Sequence, residues 1–149
     1  VPIKGEYEPS TWDWVAEQAA EYEASGGTRA NTLLDTGIPI IVVTTVGRRS
    51  AKVRKVPLMR VEHDGEYALI ASKGGMPDHP DWYYNLLADD QVMIQDGATP
   101  ADYTVREVHD SERELWFGRG EAVYPPYGEY AVSAAKAERT IPVFVASPN

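Results

Sequence analysis

The sequence predicts a mainly β domain, a small β-barrel with helices inserted between its strands. Three observations predict it. Six stretches have strand character, and several are joined by links too short for a crossover helix, which makes them antiparallel. Neither βαβ alternation nor a Gly-x-Gly-x-x-Gly turn is present, which argues against a parallel nucleotide-binding sheet. The chain has 149 residues, 43% apolar and 25% charged, which suits one domain with a real core.

Pro9-Ser10-Thr11 introduces a helix over Trp12 to Ser25, with Ser10 or Thr11 as N-cap. Trp12, Val15, Ala19 and Tyr22 give it an apolar stripe, and Asp13, Glu17 and Glu21 an acidic face. Gly26-Gly27 stops it, so residues 1–27 read as an N-terminal helical segment and 28–149 as the barrel. The stripe fits packing on the domain itself or cover over a ligand, and the acidic face argues against anionic lipid. A connector rich in Thr, Asn, Asp and Gly runs from Thr28 to Pro39. Ile40 to Val46 is β-branched throughout and predicts a strand buried along most of its length.

A second strand is expected from Val53 to His63, turning at Asp64-Gly65 into a third from Glu66 to Ser72. These three read as a meander. Lys73 to Pro77 is a loop. Asp78-His79-Pro80 opens a helix through Ala88, with Asp78 as N-cap and Pro80 in the first turn. Gln91 to Gln95 and Tyr103 to Val108 are short strands around a turn that begins at Asp96-Gly97. Ser111-Glu112-Arg113-Glu114 matches a capping box for a helix through Trp116 and Phe117. Tyr124 to Tyr130 leads into an Ala-rich helical turn, and Ile141 to Ala146 closes the chain as a strand.

Composition narrows the chemistry. There is no Cys, hence no disulfide, thiolate site or cysteine nucleophile, which is compatible with a reducing cytoplasm. His63, His79 and His109 show no metal-ligand spacing, so no metal is expected. Ser111 reads as a cap rather than a nucleophile, and Asp89-Asp90 as a solvated helix end. A net charge of −9 argues against nucleic-acid binding. No apolar run is long enough to span a bilayer. No secretory signal is visible, and Val1 is not Met, which leaves an upstream segment open.

One window departs from the acidic background. Arg48, Arg49, Lys52, Arg54, Lys55 and Arg60 lie together with no acid between them. The other 8 basic residues face all 23 acids, a balance of −15. Flanked by two strands, this loop reads as a fixed anion-binding rim, with a charged exposed hairpin as the plainer alternative. Lys73 beside Gly74-Gly75 is a second candidate. Tyr124, Tyr127 and Tyr130 recur every three residues, and Trp82, Tyr83 and Tyr84 open another helix. Such rings belong either to the core or to a pocket for a flat molecule. Clamp and rings together point to a ligand with a flat head and an anionic tail.

The runs Gly47 to Leu58, Ile70 to Gly75 and His79 to Leu86 resemble the deazaflavin-dependent nitroreductase family, and Tyr124 to Tyr130 and Ile141 to Phe144 extend the likeness. It spans nearly the whole chain from Gly26 and is closest to the actinobacterial branch that reduces quinones and activates bicyclic nitroimidazole prodrugs. Ala51 stands where that family often has Gly. The resemblance implies a split β-barrel related to the barrels that bind flavin mononucleotide. Its cofactor would be coenzyme F420, an 8-hydroxy-5-deazaflavin with a phosphodiester and an oligoglutamate tail.

By motif position the resemblance implies that Arg48, Arg49, Ser50, Arg54, Lys55 and Val56 hold the tail and ring edge. Ile70, Ala71, Ser72, Lys73, Asp81, Trp82, Tyr83, Tyr84 and Asn85 would border the ring, and Tyr127 would touch the cofactor. Met59, Ser72, Tyr124 and Tyr130 would face the acceptor, with Ser72, Tyr124 and Tyr130 as the residues active in catalysis. The implied reaction is hydride transfer to a quinone or nitroaromatic, with the cofactor as donor. Menaquinone as acceptor would imply peripheral contact at the inner face of the cell membrane. The resemblance favours a monomer. Two other readings are a flavin-mononucleotide oxidoreductase of the same barrel class and a non-catalytic deazaflavin-binding protein.

Overall fold

The structure is a computed structural model that describes residues 3, 5–33 and 36–149. Leu34 and Asp35 of the connector, and Val1, Pro2 and Lys4 of the N-terminal segment, lie outside the described residues. Among the described residues seven strands form one sheet: β1 (Ile40–Val46), β2 (Val53–Met59), β3 (Glu62–His63), β4 (Glu66–Ile70), β5 (Gln91–Gln95), β6 (Pro100–Val108) and β7 (Val143–Pro148). Their order is β2-β1-β5-β6-β7-β4-β3, and every neighbouring pair is antiparallel. Among the described residues four α-helices accompany it: α1 (Asp13–Ala24), α2 (Asp81–Ala88), α3 (Asp110–Val123) and α4 (Pro126–Lys136).

The two ends of that order are consecutive pieces of one segment. The expected single strand from Val53 to His63 breaks at Arg60 and Val61, and the sheet closes on itself through the bend. Arg60 N–H donates to the Pro39 carbonyl at 3.0 Å, and Ala68 N–H to the Val61 carbonyl at 2.9 Å. The Arg60 guanidinium and the Tyr67 hydroxyl both donate to Asp96 Oδ2, at 2.8 and 2.6 Å, fixing the corner. The expected meander keeps its antiparallel pairings, β1 with β2 and β3 with β4, but its middle strand is split in two; β1 also takes β5 and β4 also takes β7 as a neighbour. The hairpin at Asp64-Gly65 forms as expected: His63 pairs with Glu66, and both turn residues have positive φ, 52° and 82°.

The unbroken β-branched run of β1 is explained by burial on both faces. Ile41 and Val43 join Tyr67, Leu69, Val92, Ile94, Val105 and Phe144 in a cluster drawn from five strands, with Leu86 of α2 at its margin. The alternate residues Ile40 and Val42 join Ala68, Ile70, Val143 and Val145 in a second cluster. Ala19 and Tyr22 of α1, Trp116 and Phe117 of α3, and Tyr127 and Ala134 of α4 cover that one. Only part of the predicted stripe on α1 is used, since Trp12 is exposed and Val15 half-buried.

Three expected caps are absent. Trp12 occupies the N-cap of α1, and Ser10 Oγ instead accepts the Trp12 N–H at 3.1 Å. Pro80 occupies the N-cap of α2, because Asp78 is held by Lys73 Nζ at 2.7 Å. α3 begins two residues earlier than the capping box allows, with His109 at its N-cap and Glu114, the acid of that box, paired to Arg113 at 2.7 Å. β6 starts at Pro100 rather than Tyr103, and β7 at Val143 rather than Ile141.

The stop after α1 is also where that helix docks. Gly27 has φ 80°, and a Cβ there would lie 2.8 Å from the Gly97 Cα, while Tyr22 OH accepts the Gly97 N–H at 2.7 Å. Gly27→Ala adds a strained φ to a clash with backbone that cannot rotate away. Urea unfolding is expected to show a loss of about 2–4 kcal/mol.

Candidate functional site

The β1–β2 loop is closed on itself. Gly47 N–H donates to the Lys52 carbonyl at 2.7 Å, Ala51 N–H to the Gly47 carbonyl at 2.9 Å, and Ser50 Oγ accepts the Lys52 N–H at 3.2 Å. Ala51 sits at φ 59°, a left-handed conformation that favours glycine. The loop is joined to α2 through Asn85, whose Oδ1 accepts from both the Arg48 N–H (3.1 Å) and Arg48 Nη1 (3.0 Å). Nη1 also reaches the Asp81 carbonyl at 3.2 Å, and the guanidinium lies 5.2 Å from the centre of the Tyr84 ring.

Loop and helix enclose a cavity of about 340 Å³, within the size range of small-molecule sites. Gly47, Arg48, Arg49, Ser50, Arg54, Lys55 and Val56 line one side, and Asp81, Trp82 and Asn85 another. The third side comes from the N-terminal segment as Glu8, Ser10 and Val15. Glu8 accepts from Arg54 Nη1 at 3.0 Å, and Glu23 takes Lys55 Nζ at 2.7 and 2.8 Å. Tyr7 lies 4.6 Å below the same ammonium and bridges to Val53. Arg49 is in no ion pair among the described residues.

The sequence window thus divides. Arg48, Arg49, Arg54 and Lys55 converge on the cavity, Lys52 lies outside its lining, and Arg60 belongs to the Asp96 corner. Helix α2 divides too. Asp81, Trp82 and Asn85 face the cavity, whereas Tyr83 packs on Phe144, with ring centres 5.6 Å apart, and reaches Glu107 at 3.4 Å. Sequence reasoning missed Glu8 and Glu23, because an acid on a polar stretch carries no mark of a distant basic partner.

A second group lies around the turn after β4. Ile70 and Ala71 are buried, Ser72 is half-buried, and Lys73 pairs with Asp78, so its ammonium closes its own loop. Gly75 packs so closely on α4 that a Cβ would come within 2.6 Å of the Tyr130 carbonyl oxygen. Tyr124 OH and Tyr130 OH are 3.0 Å apart, and the Tyr127 ring centre is 5.1 Å from that of Tyr124. The hydrogen bond with Tyr130, then burial, pushes the Tyr124 phenol up to about 12. Burial raises the almost fully enclosed Tyr127 phenol well above its usual range. Met59, 8% exposed, ends β2 within the same apolar cluster as Ile70 and Tyr127, against which Tyr124 and Tyr130 pack.

The turn, tyrosines and Met59 are one neighbourhood and the basic cavity another, and none of Ser72, Tyr124, Tyr127 or Tyr130 lines that cavity. His79 and Arg139, also missed from sequence, stand between the two. Arg139 Nε donates to His79 Nδ1 at 2.8 Å, and Arg139 Nη1 to the Ser72 carbonyl at 2.9 Å. No local pattern marks a side chain whose partners are backbone carbonyls more than 60 residues away.

A polyanionic cofactor with a flat ring fits this donor set. Basic side chains, two of them paired with exchangeable carboxylates, line a cavity that also carries the Trp82 ring. Comparison with known proteins agrees. Residues 14–148 match the family model described as F420H(2)-dependent quinone reductase. A protein of that description from Mycobacterium tuberculosis is 32% identical over 110 residues, covering 72% of each chain. A solved F420-H2 dependent reductase is 48% identical at TM-score 0.68, covering 73% of this chain and 94% of that one. Another solved structure, a domain-swapped dimer, is 45% identical at TM-score 0.70, covering 93% of this chain and 100% of the other. A pyridoxinephosphate oxidase family protein from Clostridium acetobutylicum is 16% identical at TM-score 0.50 over 73% of this chain, a likeness of fold alone, that of the split barrel. With a match across all but its ends, this chain belongs to the F420H(2)-dependent quinone reductase family.

Proposed function

We propose that this chain reduces quinones with the cofactor's tail held by Arg49, Arg54 and Lys55 and the acceptor held by Ser72 and the tyrosines. The observation that carries the reading is the basic cavity between the β1–β2 loop and α2, in an otherwise strongly acidic chain. When bound, the reduced deazaflavin supplies a hydride to the acceptor. The protein's part is binding, orientation and electrostatics.

Arg49 is the cation best placed to meet a phosphodiester first, since it has no carboxylate to displace among the described residues. Arg54 and Lys55 exchange Glu8 and Glu23 for tail carboxylates. Arg48 holds the loop to α2, so its role is to fix the rim. Trp82 and Val56 offer apolar surface to a ring edge, and Asp81 and Asn85 close the same wall. Ile70, Ala71 and Lys73 shape the turn that presents Ser72. Tyr83 and Tyr84 support α2 from behind.

At the acceptor, the Ser72 hydroxyl donates to a quinone oxygen on which negative charge develops. Tyr124 and Tyr130 share one hydrogen bond, which leaves one hydroxyl proton to offer, and with a phenol pushed up to about 12 the pair keeps its protons at neutral pH. Its contribution to stability is full below the ordinary value of 10.0 and is lost as pH rises through about 12. Tyr127 is enclosed and shapes the floor with Met59. Quinones and nitroaromatics, bicyclic nitroimidazoles included, share a planar ring with an oxygen that gains charge on reduction, so both are acceptor classes for this site. Exposed Trp12 and Trp14 on α1 suit peripheral contact where the quinone is membrane-borne.

Titration of the purified protein with deazaflavin or flavin mononucleotide, followed by quinone or nitroaromatic, tests the reading as a whole. Tight deazaflavin binding with quinone-dependent reoxidation is expected, and tight binding of flavin mononucleotide alone would overturn it. Ser72→Ala is expected to cut turnover about tenfold to hundredfold with the cofactor dissociation constant unchanged. Equal loss of both would remove Ser72 from the acceptor side. Arg54→Ala should raise the cofactor dissociation constant roughly tenfold or more while moving the quinone KM little. Glu8→Gln should act in the opposite sense, tightening cofactor binding by roughly twofold to fivefold in a fluorescence titration at low salt. Weakened binding there would show that Glu8 orders Arg54 rather than competing for it.

A further inference from the structure

Arg139 is 7% exposed, yet none of its hydrogen-bond acceptors is a carboxylate. Nη1 donates to the Ser72 carbonyl at 2.9 Å and the Met76 carbonyl at 2.8 Å, Nη2 donates to the Ala71 carbonyl, and Nε donates to His79 Nδ1 at 2.8 Å. Burying a guanidinium against neutral partners is costly, and an apolar side chain of similar size would fill the space without that cost. What only the rigid fork provides is the simultaneous placement of four acceptors.

Those acceptors are not scattered. The carbonyls of Ala71, Ser72 and Met76 bracket a turn in which Lys73, Gly74 and Gly75 all have positive φ, at 47°, 64° and 76°. His79 directly precedes Pro80, the N-cap of α2, the helix that lines the basic cavity. Arg139 N–H closes the end of α4 on the Ala134 carbonyl at 2.9 Å, and α4 carries Tyr127 and Tyr130. One residue therefore meets all three parts: its side chain holds the turn bearing Ser72 and the His79 that leads into the helix of the anion clamp, and its backbone N–H closes the helix of the tyrosines.

We propose that Arg139, with His79 as its fourth acceptor, is a positioning residue that holds the Ser72 hydroxyl in register with the anion clamp. This rests on the acceptor-side role of Ser72 given above. His79 can accept at Nδ1 only as the neutral imidazole protonated at Nε2. Protonated, it would lose that lone pair and set a second cation against Arg139. Burial, then the charge of Arg139, lowers its pKa from the ordinary 6.5, against opposing pulls from Glu107 on β6 and Asp78 on its own loop. The uncharged rings of Tyr83 and Tyr84, centred 4.4 and 6.0 Å away, cover it from α2. The pair is intact above 6.5 and comes apart as pH falls through the lowered value.

Single-turnover reoxidation of the cofactor-loaded enzyme by menadione, measured against pH, tests this beside hydrogen exchange of residues 71–78 in the cofactor-free protein. The wild type is expected to lose rate on the acid side, and H79N, which keeps an acceptor that does not titrate, to lose that limb. R139K is expected to slow reoxidation tenfold or more, raise exchange in 71–78, and leave the menadione KM within threefold. R139K combined with S72A should be no slower than S72A alone, because Arg139 acts through Ser72. An acid limb that persists in H79N, or additive losses in the double variant, would overturn the proposal. Loss of rate in S72A with R139K unchanged in rate and exchange overturns this proposal alone, whereas an unaffected S72A overturns the Ser72 reading beneath it. If R139K does not fold, the pH profile and exchange of H79N decide.

Discussion

Everything in this molecule hangs on the bend at Arg60 and Val61. A seven-stranded antiparallel sheet has two edges, each a row of unpaired backbone groups. Here both edges are made from one stretch of chain, so β2 and β3 lie at opposite ends of the strand order and are still covalently next to each other. Closure follows from that single corner and is fixed by Asp96, which accepts from Arg60 and Tyr67 together. The closed wall gives β1 two buried faces, and the helices cover the outer one. It also holds the basic loop firmly, because β1 and β2 pair across their full length from Ile40–Met59 to Val46–Val53.

On that frame the site is assembled from parts with separate support. The basic rim is tied to α2 through Arg48 and Asn85. The Ser72 turn is wedged against α4 by Gly75, where there is no room for a side chain. The N-terminal segment contributes the third wall and brings its own carboxylates to the clamp. α1 is anchored by Ala19 and Tyr22, which belong to the same core cluster as the barrel strands. Cover and barrel are therefore coupled through packing as well as charge.

Much of the fold was legible because local pattern and tertiary demand agree. β1 and β5 fall where β-branched and alternating residues put them, and Asp64-Gly65 forms the turn its φ values require. The basic rim was legible as an excess of charge. Other features were not, for a common reason: they depend on which partner is nearer in space. Asp78 and Glu114 have the right spacing to cap helices, yet Lys73 and Arg113 hold them. Nothing local marks a corner at Arg60 and Val61, since both residues suit a strand. Arg60 reads as part of the clamp until Asp96 is found beside it. Arg139 and His79 bind across the fold, and the acceptors of Arg139 include backbone carbonyls that every residue has.

The carboxylates already resting on Arg54 and Lys55 change what the clamp measures. An open cluster of cations would attract any anion. Here Glu8 and Glu23 hold two of the cations beforehand, so a ligand gains at those positions only by trading one carboxylate contact for another. A small anion with a single charge exchanges like for like and gains little. A long ligand whose charges are joined by covalent bonds makes the second exchange an intramolecular event, at the high effective concentration such linkage provides. In the function proposed above, the clamp would then count charges on a connected chain, and tail length, more than charge density, would be the quantity it selects.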